Sequence, residues 1–509
     1  MKRYSDLEFL KLSKGQKFLY KLTSFFAAIP RAIGNLFLAI GRFFKNLGLG
    51  VANECKDIFT TFKEGDWKTR ASFLVMGLGS IARGQVLRGL LFLLFEIVFI
   101  FYMVTTGGYW MSMLPSLGKI GPHDEYNAVL DAYTKTYGDN SFKILLYGVL
   151  TIFFIVAFLY TWRMNVKQNK IAQEYLKAGR RLKSSGDDLR SLVDEQFYKT
   201  LLALPLLGIV IFTVMPIVFM ILVAFTNYDG AHNGYSNQLF TWVGLENFRT
   251  MFSWDVGGVN YSATFGEVLT WTLIWAFFAT FTNYVLGIFV AMMINKKGIK
   301  LKKMWRTILI LTIAIPQFIS LLYVSRMFSI NGLVNGALQA LHITTAPIDF
   351  WGTPKLARIM VIVINIWIGI PYLMLIATGI LMNIPADLYE STRIDGANAW
   401  QQFSKITLPY MLFITGPYLL TSFTSNMNNF NVIYLLTGGK PTNIAASGAA
   451  GSVGYTDLLI TWLFKITTGS DTKYYLASVV GIMVFVVVSV ITLIVYGLLP
   501  SVKNEEDFQ

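Results

Sequence analysis

Eight stretches of this chain run for about twenty residues or more with almost no charge, at approximately 87–107, 142–162, 200–225, 265–294, 305–328, 357–381, 410–434 and 474–499. A helix of that length rises roughly 30 Å, the thickness of a bilayer's hydrocarbon layer. Backbone N–H and C=O groups find no water there, so each stretch has to be a helix that satisfies its own backbone. The expected fold class is an all-α integral membrane protein of about eight transmembrane helices. Composition agrees, because only 14% of the 509 residues are charged and the mean hydropathy is +0.52. Soluble domains carry about 25% charge. Pro205, Pro216, Pro316, Pro371 and the Gly416-Pro417 pair fall inside the stretches. Neighbouring helices can satisfy the backbone groups that such residues free.

The net charge is +14. Its distribution argues against nucleic acid as a partner. Lys and Arg number 14 in the first 86 residues, nine in 163–199 and six in 295–304 plus Arg306. The alternate segments 107–141, 226–264 and 329–356 hold two, one and one. By the positive-inside rule the basic side is cytoplasmic, which puts both termini inside a multi-pass cell-membrane protein. The run Lys296, Lys297, Lys300, Lys302 and Lys303 reads as a topological anchor. Residues 1–24 lack an h-region and a cleavage site, so the first spanning stretch is expected to act as the insertion signal.

Three regions follow from this pattern. Residues 1–86 form a basic N-terminal membrane-surface region, in which 18–70 mix Phe-rich turns with Lys and Arg as in amphipathic helices lying on lipid. Within it, 71–83 is too short to span and reads as a re-entrant or interfacial turn. Residues 87–199 hold two transmembrane helices and a cytoplasmic helical hairpin over 163–199, broken at Ser184-Ser185-Gly186. Residues 200–509 hold the remaining spans. One cysteine, Cys55, excludes an intrachain disulfide. His123, His232 and His342 show no ligand spacing, so no metal site is expected, and no catalytic nucleophile motif is present. Glu96 is a buried charge in the first span, expected to have a structural partner or to be protonated.

The segment with the most specific spacing is 385–409. Pro385 suits a helix start and Asp387 complements its positive end. Gly396 can take positive φ and stop that helix. A second short helix should run to about Lys405, and Pro409 should open the seventh span. The product is a cytoplasmic helix-turn-helix joined to two spanning helices. Glu390, Gly396, Ile406, Leu408 and Pro409 stand at the spacing of the EAA loop of ABC importer permeases, which the segment resembles. Ser391 and Thr392 replace the loop's two alanines. The resemblance extends over roughly 200–509 to MalF-type permease subunits of carbohydrate importers. It runs through Ile315-Pro316, Asn365-Ile-Trp-Ile-Gly369, Asn426-Met-Asn428-Asn429 and Gly454-Tyr455-Thr-Asp-Leu458. The loop between spans three and four is only about 40 residues, like the compact versions of Gram-positive bacteria.

The resemblance implies a type I ABC importer permease fold and alternating access. It implies that Glu390, Ser391, Thr392, Asp395, Gly396, Ala397, Ile406, Leu408 and Pro409 couple to a separate ATPase. This chain has no phosphate loop of its own: Gly438-Gly439-Lys440 is followed by Pro441. No cofactor is expected on this chain, and ATP and Mg²⁺ belong to the partner. The implied partners are two ATPase copies, a MalG-like second permease and a lipid-anchored or periplasmic sugar-binding protein.

Polar groups inside a bilayer face a cavity or a partner helix. Asn365 and Gly369 lie near the middle of span six, and Ser422, Asn426 and Asn429 share one helical face in span seven. A carboxamide donates and accepts without charge, as a sugar hydroxyl requires, and Trp367 offers a ring face. Interhelical hydrogen bonding without a ligand fits these residues equally well. The resemblance favours the sugar: Asn365, Ile368, Gly369, Ser422, Asn426 and Asn429 match the family's sugar-holding positions. Ile313, Gln317 and Asn431 depart from the family's aromatic, Ser and Val. Maltose or maltodextrin leads, with galactan-derived or raffinose-type oligosaccharides as alternatives. An ion-coupled secondary transporter usually needs intramembrane charges for coupling, of which only Glu96 qualifies. A membrane-bound enzyme such as a glycosyltransferase would need a soluble catalytic domain or a carboxylate set at one interface, neither of which is present.

Overall fold

The structure is a computed structural model that describes residues 13–253, 260–296, 298–446, 452–469 and 472–498. Lys297 of the basic run and both chain ends lie outside the described residues, as do the side chains of Lys21 and Arg31. The chain divides into two compact units, Met1–Gly244 and Leu245–Gln509.

The first unit opens with one long helix, α1 (Lys14–Glu64), started by a capping box between Ser13 and Gln16. Its last carbonyls are satisfied by the Arg70 guanidinium, which donates to Phe62 O at 3.0 Å and Lys63 O at 2.7 Å. Three spans follow, α2 (Val86–Met113), α3 (Ser141–Lys177) and α5 (Phe197–Val223). Between α2 and α3 a short hairpin pairs β1 (His123–Asn127) with β2 (Ala132–Thr136), antiparallel with Tyr126 opposite Tyr133. Among the described residues this is the only departure from helix that forms a sheet. The expected hairpin over 163–199 takes another form. α3 continues as one helix to Lys177, and the break comes before Ser184, which caps α4 (Ser185–Val193). Gly186 is therefore helical. The Ser184 hydroxyl and the Asp187 carboxylate complete a second capping box, and this fixes the start. α4 is tied to the foot of α2 by Arg88–Asp188 at 2.5 Å and by Gln85 Nε2 donating to Lys183 O at 3.1 Å.

Residues 66–85 fold back as a series of turns, and side chains satisfy their backbone. Asn165 on α3 accepts from Gly77 N and donates to Ser72 O, while Gln173 accepts from Asp66 N. Glu96 accepts from Met76 N at 2.7 Å, which is the structural partner expected for this carboxylate. At the centre lies Arg83, its side chain wholly buried. It donates to Asp66 at 2.6 Å, Thr69 at 2.7 Å and Asn169 at 2.7 Å.

The second unit contains α6 (Tyr261–Asn295), α7 (Lys302–Ala314), α8 (Gln317–Met327), α9 (Pro354–Met382), α10 (Ala386–Ile394), α11 (Ala399–Met427), α12 (Phe430–Leu436), α13 (Leu459–Thr468) and α14 (Tyr474–Leu498). The fifth apolar stretch is not one helix: α7 and α8 meet at 91°. Pro316 has no N–H to continue the ladder and holds Ile315 extended, at φ −82° and ψ 126°. Among the described residues seven helices thus qualify as spans, or eight if the bent pair counts as one. Trp271, Trp275, Val361, Ile364, Val432 and Leu458 belong to one buried cluster of this unit, and Tyr284, Ile288, Leu373, Met374 and Met411 to another. Within the apolar stretches Glu267 and Arg358 pair at 3.9 Å, near the starts of α6 and α9. Arg358 also lies 4.7 Å from the Trp271 ring centroid, so the cation is held by an aromatic face as well as a carboxylate.

Arg83→Met removes a buried cation and leaves Asp66, Thr69 and Asn169 without their common donor. It should lower the stability of the first unit by roughly 2–4 kcal/mol. Thermal unfolding in detergent should show this as a lower midpoint, with Arg83→Lys, which restores charge but not the fork, in between.

Candidate transport path and coupling element

Two groups of residues singled out from the sequence come together within the second unit, and one helix carries part of each. The first is a polar seam between α6, α9 and α11. α6 passes through a π-helical turn at Phe278–Thr282, a widening often found at functional positions. Thr280 in that turn accepts from the Asn426 amide at 3.0 Å. Asn429 Nδ2 donates to Asn426 Oδ1 at 3.3 Å, and the Trp275 indole donates to Asn426 O at 3.0 Å. Asn426 is thus held from three directions. On the neighbouring face Gly369 of α9 packs against Asn283 of α6. A Cβ at 369 would overlap the Asn283 amide, so only glycine permits this approach. Asn283 Nδ2 donates to Ala279 O at 2.8 Å, and Asn283 Oδ1 is buried without a hydrogen-bond partner among the described residues. Asn365 is buried one turn before Gly369, and Ser422 half-buried one turn before Asn426.

Several expectations change here. Asn429 does not continue the face of Ser422 and Asn426, because α11 ends at Met427. Asn429 instead caps α12, accepting from Val432 N at 3.3 Å. An asparagine side chain competes well for such orphan N–H groups, and this breaks the helix. Ile313 and Gln317 flank the α7–α8 bend and are exposed. Asn431 is exposed on α12, Ile368 is partly buried, and Trp367 is exposed on α9. Thr280 and Asn283 had escaped the sequence reading, although an asparagine in the middle of a spanning stretch is itself a signal.

The second group is the coupling element. α10 carries Asp387 in its first turn and stops where Gly396 takes φ +76°. Ala397 N donates to Thr392 O at 2.9 Å, the bond that closes the six residues of a Schellman-type turn. Asn398 then starts α11 through a capping box with Gln401. The Tyr389 and Thr407 hydroxyls meet at 2.9 Å and brace the two arms. Ser391 and Thr392 turn their hydroxyls onto Leu388 O, which keeps them compact where the family has alanine. The expected break near Lys405 is absent. A π-helical turn over Phe403–Thr407 carries the helix through Ile406 into Leu408 and Pro409, whose missing N–H is tolerated there. Glu390, Asp395 and Gly396 are exposed, and so are two large apolar side chains, Ile394 at 87% and Trp400 at 71%.

Gly369→Ala should destabilise the second unit by about 1–3 kcal/mol through overpacking. Asn283→Ala in the same chain should return most of that loss. The unfolding midpoints of the two variants, set beside the parent's, test the packing directly.

Residues 283–503 match the family described as binding-protein-dependent transport system inner membrane component. The chain is 33% identical over 443 residues to the maltodextrin transport system permease protein MalC of Streptococcus pneumoniae, covering 85% of this chain and 96% of that protein. It is 31% identical over 436 residues to the galactooligosaccharides transport system permease protein GanP of Bacillus subtilis, covering 85% of this chain and 97% of that protein. Among solved structures it is similar to a bacterial ABC transporter involved in the import of alginate, with 23% identity, a TM-score of 0.48, and coverage of 61% of this chain and 96% of that one. With its apolar spans, the family match over 283–503 and this identity along nearly the whole of both relatives, the chain belongs to the family of inner membrane components of binding-protein-dependent transport systems, and is a multi-pass membrane permease.

Proposed function

We propose that this chain is the transmembrane permease subunit of an ATP-driven importer of oligosaccharides, with maltodextrins as the leading cargo, working by alternating access. The observation that carries this reading is the continuity of α11. One helix runs from the coupling turn at Asn398 to Asn426 in the polar seam, 28 positions on, a rise of about 40 Å. A displacement applied at the exposed turn is delivered to the seam by a single rod.

The seam suits a neutral polyol. Asn426, Asn429, Asn365 and Asn283 supply amides that donate and accept. Ile313, Gln317 and Asn431 border the path as specificity positions. The relatives' names favour maltodextrin first and galacto-oligosaccharide second, and a raffinose-type oligosaccharide remains the further alternative. In this reading Glu390, Ser391, Thr392, Asp395, Gly396 and Ala397 meet one of two ATPase copies, which bind the ATP and Mg²⁺. A MalG-like permease closes the path from the other side, and both termini face the cytoplasm. At the end away from the coupling element a cavity of about 1070 Å³ is lined by Arg326, Asp349, Trp351, Lys440 and Thr442. It is where a sugar-binding protein would deliver its load.

Uptake of labelled maltotriose by cells with and without this chain should fall with ATP depletion and persist when the proton gradient is collapsed. Dependence on the gradient alone overturns the reading. Asn426→Ala should cut uptake at least about tenfold, the weight of one or two polar contacts, while the assembled complex is still recovered. Gly396→Asn tests the coupling turn. Asparagine tolerates positive φ, and nothing of this chain lies within 4 Å of the added Cβ. The variant should therefore fold normally yet lose most substrate-stimulated ATP hydrolysis, and unaltered stimulation would place the ATPase contact elsewhere.

A further inference from the structure

The last third of α1 divides into three longitudinal bands. At about 100° per residue, Phe44, Leu47, Val51, Cys55, Ile58 and Phe62 fall on one stripe, with Phe59 at its edge. Phe44, Leu47, Val51, Phe59 and Phe62 are exposed, each by about half its surface or more. Arg42, Lys45, Lys56 and Lys63 lie roughly 100–160° round from the stripe on one flank. The opposite flank holds Glu54 and Asp57, and both are engaged. Arg163 of α3 pairs with Glu54 at 2.6 Å and with Asp57 at 2.6 Å, and Lys170 pairs with Asp57 at 2.6 Å. Within residues 42–63 both acids are thus paired with α3, the next acid being the exposed Glu64 at the helix end, and the cations and the apolar stripe of that stretch face outward.

The clamp also sets the depth of α1. Between Lys143 and Arg163 the 19 residues Ile144–Trp162 carry no charge. As helix they rise roughly 28 Å, close to the hydrocarbon thickness. Arg163 therefore emerges among the lipid headgroups, and Glu54 and Asp57, bonded to it, share that level. A helix held there with an apolar stripe and a cationic flank has its stripe in the acyl boundary and its cations among phosphates.

From this arrangement we infer that residues 42–63 of α1 form a docking site for anionic phospholipid headgroups, with Arg42, Lys45, Lys56 and Lys63 as the contacts. The occupant is a lipid surface and not a soluble partner, because the clamp places the bands at the headgroup level. The inference rests on the chain being membrane-embedded and is independent of what it transports.

Cys55 is the only cysteine of the chain and lies in the middle of the stripe, so an environment-sensitive fluorophore can be placed there in the full chain reconstituted in nanodiscs. Brominated phosphatidylcholine and brominated phosphatidylglycerol at equal mole fraction should both quench it, the anionic lipid more strongly. High salt should remove the difference. The variant R42Q/K45Q/K56Q/K63Q should show equal quenching by the two lipids, with an unchanged unfolding midpoint. Absence of quenching by either lipid means that the stripe meets a protein or water and overturns the proposal. Equal quenching of the parent by both lipids, or an anionic excess that survives in the variant, overturns the headgroup assignment.

Discussion

Hydrocarbon cannot hydrogen-bond, and the bends in this chain are the places where that constraint has to be met locally. At Pro316 the ladder stops, and α8 starts afresh at 91° to α7. At Asn428 the helix ends, and Asn429 supplies an acceptor for the next one. The π-helical turns in α6 and at the root of α11 take the opposite course, widening the helix while keeping its backbone bonded. The break at Asn428 and the π-helical turns at Phe278–Thr282 and Phe403–Thr407 lie beside polar residues of the seam or of the turn at Gly396. Intramembrane irregularity of this kind requires a protein or polar lining.

The helices around the polar seam differ in how they are joined. α6 and α9 meet through a close steric contact, Gly369 against the Asn283 amide, where an added Cβ would force that side chain to shift. α11 meets α6 through hydrogen bonds instead: Asn426 to Thr280, Trp275 to Asn426 O, and Tyr284 with Thr415 at 2.7 Å. Met411 and Leu419 of α11 also pack into the buried cluster with Tyr284 and Ile288 of α6, so α11 is held there by polar and apolar contacts together.

Much of this was legible in the sequence, for reasons that differ by element. The spans were readable because apolar length is a local property with few competitors. The coupling turn was readable because Asp387, Gly396 and Pro409 each act on their own backbone. The bend at Pro316 was missed because a count of apolar residues treats a proline within a span as tolerated. Asn429 was read as part of a helical face when its side chain is spent on a cap, a choice between two local bonds that spacing does not reveal. Thr280 and Asn283 needed the π-helical turn to bring them into the seam. Arg83 was illegible, since its acceptor Asn169 lies 86 residues away and nothing around it in the sequence marks it for burial.

The Arg163 clamp has a mechanical side. The uncharged run of α3 gives the first unit a fixed ruler for the membrane, and α1 is fastened at one end of that ruler. A bilayer thicker than the ruler draws Arg163 toward the acyl chains unless α3 straightens or the lipid thins around it, and a thinner one tilts α3. Either way the load passes through Glu54 and Asp57 into α1. Hydrophobic mismatch, normally a private matter of one spanning helix, is thereby shared with a second helix through a pair of carboxylates.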